Sequence, residues 1–122
     1  MTTVPQVAPG DDSATAIACC QPLQAERALD ADDAATLAAA FKALSDPVRL
    51  QLVSLVASAA AGEACACDLP QAVDRSQSTV SHHLSILVEA GILHREQRGR
   101  WAWFTLDADM LGQLSAALVT TP

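Results

Sequence analysis

VDRSQSTVSHHLSILVEAG, residues 73–91, carries the pattern on which the reading of this chain turns. Taken as a helix from about Gln77 to Ala90, it places Val80, Leu84, Leu87 and Val88 at i, i+4, i+7 and i+8, one apolar stripe with the helical period. At about 100° per residue from Val80, the opposite face collects Ser78, Ser81, His82, Ser85 and Glu89. Ser76 is placed to cap the start and Gly91 to stop the end. A solvated helix face ordinarily carries Glu/Lys pairs. This one carries short hydrogen-bonders, no Lys, and one acid near its far end, a composition suited to the base edges of the major groove. A plain amphipathic helix with its polar face in water is the competing reading.

Working outward, a short helix from about Asp68 to Val73 precedes this stretch, and Asp74-Arg75 breaks the two apart. Short helix, tight turn and second helix make a helix-turn-helix, although the turn lacks the glycine often found there. On the other side, Leu93–Leu106 alternates as a hairpin, with Arg98-Gly99 as its turn. A hairpin with arginines at its tip, directly after the second helix, makes a winged helix; a solvated surface hairpin is the bland alternative. Upstream, Asp46-Pro47 starts a helix whose stripe is Val48, Leu52, Leu55, Val56 and Ala59 and which ends at Gly62. Before it, Ala25–Leu44 has Leu37, Phe41 and Leu44 at helical spacing, with Asp30, Asp32 and Asp33 near its start. After the hairpin, Asp107 caps a helix carrying Leu111, Leu114 and Leu118. In so small a domain these two terminal helices lack an evident partner, which predicts a homodimer. The fold class is mainly α with a small β-hairpin: residues 1–24 form a flexible arm and residues 25–121 a winged helix-turn-helix domain.

The chain has 122 residues and a net charge of −7, enough for one domain with a modest, Ala-rich helical core. The acidity is uneven: residues 1–33 hold six acids and one Arg, whereas Arg75, Arg95, Arg98 and Arg100 surround the reading helix. An acidic protein with a local basic edge docks on phosphate weakly and in a salt-sensitive way. No run of about 18 apolar residues indicates a membrane span, and no signal peptide is visible, so a cytoplasmic location is expected. Thiols there are normally reduced, and the four cysteines read as metal or redox groups rather than a disulfide framework. No Gly-rich phosphate loop or nucleophile–base constellation points to an enzyme; Ser81, His82 and His83 are helix neighbours that do not face one another. A winged helix that serves protein contacts without DNA is the remaining rival.

FKALSDPVRL (41–50), CACDL (65–69), SQSTVSHHL (76–84), AGIL (90–93) and RGRW (98–101) follow in this order. Together they resemble the ArsR/SmtB family of metal-responsive winged-helix repressors, over about Leu37 to Leu118. Ser78 stands where the family usually has proline, which removes a rigid helix start. The resemblance implies a homodimer on a palindromic operator in double-stranded DNA, released by an inducer. It assigns Arg75, Gln77, Ser78, Thr79, Ser81 and His82 to the reading surface, and Arg98 and Arg100 to wing contacts with phosphate or minor groove. His83, beside the apolar stripe, reads as a packed or hydrogen-bonded edge residue rather than a DNA contact.

Cys65-x-Cys67 matches the family's thiol motif at the start of the helix preceding the reading helix. Pro70 occupies the position of the third cysteine of the arsenite-binding members, and the adjacent Cys19 and Cys20 of the arm are candidates to replace it. Side chains at i and i+2 of a regular helix point about 200° apart, so either the chain is irregular near Cys65 or one of the pair binds alone. A trithiolate of Cys19, Cys20 and one of Cys65 and Cys67 suits As(III) or Sb(III); four thiolates suit Cd(II), Pb(II) or Zn(II); thiol oxidation is a third signal. A zinc cluster on the last helix is not expected, because Asp107 and Asp109 have no histidine on that helix and His94 lies in the wing.

Overall fold

The computed structural model describes residues 22–23, 26 and 28–119. The arm, with Cys19 and Cys20, lies outside the described residues apart from Pro22 and Leu23. Helix α1 spans Ala31–Leu44, and its N-cap Asp30 accepts from the amide of Asp33 at 2.8 Å. The helix thus starts some six positions later than the expected Ala25, because the carboxylate that satisfies the first amides is Asp30 itself. Its buried positions are Leu37, Ala40 and Ala43, with Phe41 and Leu44 packed at the edge. Small alanines let the neighbouring helices approach closely, so the core face is rotated from the stripe of large residues.

Helix α2, Pro47–Ser58, starts where Asp46-Pro47 places it. The Asp46 carboxylate accepts from Val48 at 2.8 Å and Arg49 at 3.1 Å, and proline at the first helical position lacks only an amide that would be orphaned. Leu52, Val53 and Val56 are its buried face. The helix stops at Ser58 rather than Gly62; a 3-10 turn over Ala60–Gly62 follows, with Ala61 in the left-handed region at φ 59°.

Strand β1, Glu63–Cys65, was not expected. Helix α3 covers Leu69–Val73 and α4 covers Gln77–Glu89. Between them Asp74 takes φ 54°, ψ 50°, and so supplies the turn geometry for which glycine is missing; Asp is one of the few residues that tolerate it. Val80, Leu84 and Leu87 of α4 are buried and Val88 packs beside them.

β2 (Leu93–Arg98) and β3 (Trp101–Leu106) form the wing. Arg98 pairs with Trp101, so the two-residue loop is Gly99-Arg100, one position later than expected, with Gly99 at φ 63°. Glycine with positive φ at the first loop position follows the twist of the strands. The hairpin is part of a larger sheet of order β1-β3-β2, in which Glu63 pairs with Thr105, Ala64 with Phe104 and Cys65 with Trp103. Helix α5, Ala108–Ala117, is capped by Asp107, which accepts from the Met110 amide at 2.8 Å. It packs on α1, with Leu114 and Leu37 both buried. The terminal helices thus have a partner within the chain, yet Leu29, Leu118 and Val119 stay exposed beside them.

Candidate nucleic-acid interface and thiol site

The reading surface is built by α4. Burial of Val80, Leu84 and Leu87 fixes the rotation of the helix and turns Gln77, Ser78, Thr79, Ser81, His82 and Ser85 outward, all exposed. Its first turn is a hydroxyl cluster. Ser76 Oγ accepts from the Thr79 amide at 3.2 Å, donates to Thr79 Oγ1 at 2.9 Å, and lies 3.2 Å from Ser78 Oγ. Ser78 and Thr79 therefore serve the helix start as well as facing out, a capping role that replaces a proline start.

His83 is half-buried, with Nδ1 3.1 Å from Arg49 Nη1. Arg49 Nε also donates to the Ala43 carbonyl at 2.6 Å, so one guanidinium joins the end of α1 to α4. A guanidinium only donates, so Nδ1 accepts and the imidazole proton sits on Nε2. Sequence reasoning did not single out Arg49; only its place after Asp-Pro marked it.

The basic residues fall into two groups. Arg75, beside the reading helix, donates to the Asp74 carbonyl at 3.0 Å and is exposed. Arg95 donates to Gln97 Oε1 at 2.8 Å. Arg98 is fully engaged: it donates to Glu63 Oε2 at 2.8 Å and to Glu96 Oε1 at 2.7 and 3.0 Å, and lies 4.9 Å from the Trp103 ring centroid. The Arg98 hydrogen bond holds the Glu63 carboxyl below its usual range, and the two carboxylates hold Arg98 more firmly protonated than usual. Arg100, at the wing tip, has no side-chain partner among the described residues.

Cys65 is buried at the end of β1, and Cys67 is exposed in the turn that follows. The pair precedes α3 rather than opening it. In this strand-to-turn segment the i and i+2 side chains converge: the Cα atoms are 5.1 Å apart and the two sulfurs are joined as a disulfide. Of the two alternatives the sequence left open, the irregular backbone near Cys65 is the one observed, and the pair is joined where reduced thiols were expected. The Cys67 amide donates to Cys65 Sγ at 3.2 Å. Beside it, a groove of about 520 Å³ is lined by Leu55, Ala59, Ala64, Leu69, Ala72 and Trp103.

Among the described residues no cluster of three or more His, Cys, Asp or Glu side chains is arranged to hold a metal ion. The nearest approach outside the thiols is His94 Nε2 at 2.9 Å from Asp107 Oδ2. Sequence reasoning separated these two as wing and helix. The register that sets His94 opposite Thr105 brings it next to the cap of α5. The Met110 amide, and secondly His94, hold the Asp107 carboxyl below its usual range.

A short helix, a tight turn, an outward-facing polar helix and an arginine-tipped hairpin define a winged helix-turn-helix DNA-binding regulator. The profile described as bacterial regulatory protein, arsR family, matches residues 46–95. The arsenical resistance operon repressor of Bacillus subtilis is 37% identical over 79 residues, 64% of this chain and 73% of that one. The cadmium resistance regulatory protein CadC homolog of Staphylococcus aureus is 35% identical over 78 residues, covering 64% and 63%. A crystal structure of a possible transcriptional regulator for arsenical resistance superposes with TM-score 0.57 at 32% identity, covering 63% and 77%. A homodimeric winged helix-turn-helix domain from Mycobacterium bovis superposes with TM-score 0.59 at 22% identity, covering 72% and 82%, and supports the fold alone. This chain belongs to the ArsR family and is a transcriptional regulator, not an enzyme. No described helix is long and apolar enough to cross a membrane.

Proposed function

We propose that this chain is a cytoplasmic dimeric repressor that holds operator DNA through α4 and the wing and lets go when As(III) or Sb(III) binds its cysteine thiolates. The observation that carries the reading is the convergence of Cys65, at the end of a strand paired with the wing strand β3, and Cys67, in the turn directly before the helix-turn-helix. Once reduced, both sulfurs reach one ion. A trivalent arsenic hydroxide exchanges three As–O bonds for three As–S bonds and releases three waters, so it requires a third thiolate. Cys19 or Cys20 is the source within this chain. Relatives named for arsenical resistance support the trivalent ion; the cadmium-resistance relative keeps Cd(II), Pb(II) or Zn(II) on all four thiols as the alternative.

The dimer reading rests on α1 and α5. Leu29, Leu37, Ala116 and Val119, together with the polar Asp33 and Gln113, line a groove of about 450 Å³ between them, and Leu118 beside it is 69% exposed. A second copy covers this mixed face and its apolar rim and sets two reading helices at half-site spacing.

The test is fluorescence anisotropy of the reduced protein on its own upstream DNA, titrated in parallel with arsenite and cadmium. Release at one arsenite per subunit supports the trithiolate. Release by cadmium alone moves the assignment to four thiolates, and absence of DNA binding turns it to a protein-contact module. The disulfide contact favours one second reading: hydrogen peroxide, itself the signal, takes the two thiol hydrogens and is reduced to two waters as the Cys65–Cys67 bond forms. Release by peroxide with no response to arsenite establishes that reading instead.

A further inference from the structure

Arg98 is spent in a way that a DNA-contacting arginine is not. Its partner Glu63 is on β1, while Arg98 is on β2, and these strands are not neighbours: β3 lies between them. The side chain therefore arches diagonally across β3, over the ring of Trp103, from the position opposite Trp101 toward the one opposite Thr105. Trp103 is the register partner of Cys65 on one side and of Glu96 on the other. Cross-strand partners share a face of a sheet, so Cys65, Trp103 and Glu96 form one row. Glu63 and Arg98 close over that row two residues away along their strands. Exposed ion pairs contribute little to stability, so fold stability gives weak reason to remove an arginine from the wing's basic surface. β1 is only three residues long and ends in the buried Cys65, so a shift at that sulfur reaches Glu63 with little backbone to absorb it.

We infer that Arg98 is the positioning residue that passes events at the thiols to the wing: bridged to Glu63, it ties β2 to the strand that ends in Cys65. The inference rests on the thiol-sensor reading given above. When β1 is drawn toward an ion at Cys65 and Cys67, the bridge carries β2 with it and moves Arg100 off the phosphate backbone. Arg98 acts through Glu63 and not as a phosphate contact.

The test is operator affinity with and without arsenite for wild type, Glu63→Gln, Arg98→Gln, the double variant and Arg98→Lys, with thermal melting to confirm folding. Arsenite binding to the DNA-free proteins is followed by thiolate–arsenic absorbance. In the wild type, arsenite weakens DNA binding by a factor within the usual range of about 5–150 for coupled sites. Glu63→Gln keeps the arsenite-free affinity and the absorbance change, but its arsenite factor falls toward unity. The double variant loses no more coupling than either single variant, because both cut one link. Arg98→Lys, which keeps the charge without the fork, retains part of the factor. Normal release of the wild type together with equal release of Glu63→Gln overturns the inference alone, as do additive losses in the double variant. A wild type that arsenite does not release overturns the functional reading, and this inference with it.

Discussion

Asp46 accepts from the amides of both Val48 and Arg49, so Asp46→Ala leaves two N–H groups at the start of α2 without a protein acceptor. The expected cost is roughly 0.5–2 kcal/mol, read as a lower urea midpoint at unchanged slope. The Arg49 amide, with lesser help from Val48 and the Arg49 charge, holds the Asp46 carboxyl below its ordinary value of 3.8. A carboxyl depressed on folding stabilises the protein above its unfolded pKa, and that contribution is lost as pH falls through the folded value. The wild type should therefore lose stability below pH about 4, and the gap to Asp46→Ala should narrow there. Arg100 has no side-chain partner among the described residues and is the wing contact to DNA in the proposed reading. Arg100→Ala should weaken operator and unrelated DNA alike and lower the salt slope by about one; a sequence-selective loss would contradict this. At this scale the caps were legible, since Asp46, Ser76 and Asp107 each precede a helical stripe. The partners of Arg98 were not, because Glu63 lies 35 positions away on a strand without a sequence signature.

Among the elements, α4 and the hairpin could be read because periodicity and a glycine turn act over neighbouring residues. β1 could not. Three residues are too few to alternate, and their pairing depends on β3 being in place. The hairpin register slipped by one because glycine fixes where the turn is, while the cross-strand pairs decide which of its neighbours joins it. The end of α4 offers a test in which two glycines take opposite signs. Gly91 has φ 81°, and an added Cβ would lie 3.2 Å from Met110 Cε. The thioether end can move aside, so backbone strain dominates, and Gly91→Ala should cost roughly 1–2 kcal/mol. Gly112, inside α5 with open space around it, should respond to Gly112→Ala with a gain of roughly 0.5–1 kcal/mol. Melting temperatures of the two variants that shift in the same direction would contradict this account.

For the molecule as a whole, a helical core with a hairpin was legible, but pairing of α1 with α5 was not, since the buried face of α1 is largely alanine and the leucines of α5 read as a surface for a second copy. That pairing leaves an apolar rim at Leu118 and Val119. Leu118→Glu should shift sedimentation from dimer to monomer at micromolar concentration and weaken operator binding without lowering the helical signal, because the residue is exposed in the single chain. The long reach of the β1–β3 pairing bears on how the chain is assembled. Glu63 meets Thr105 only after α3, α4 and the hairpin turn have all been traversed, and closing so distant a contact is entropically slow. The helices and the hairpin can form from local contacts, so β1 docks late. Ala64→Gly, at the centre of that strand, should accordingly leave the refolding rate nearly unchanged and quicken unfolding, the kinetic mark of a contact absent from the transition state. A nascent chain would thus keep Cys65 open to solvent until the final step of folding.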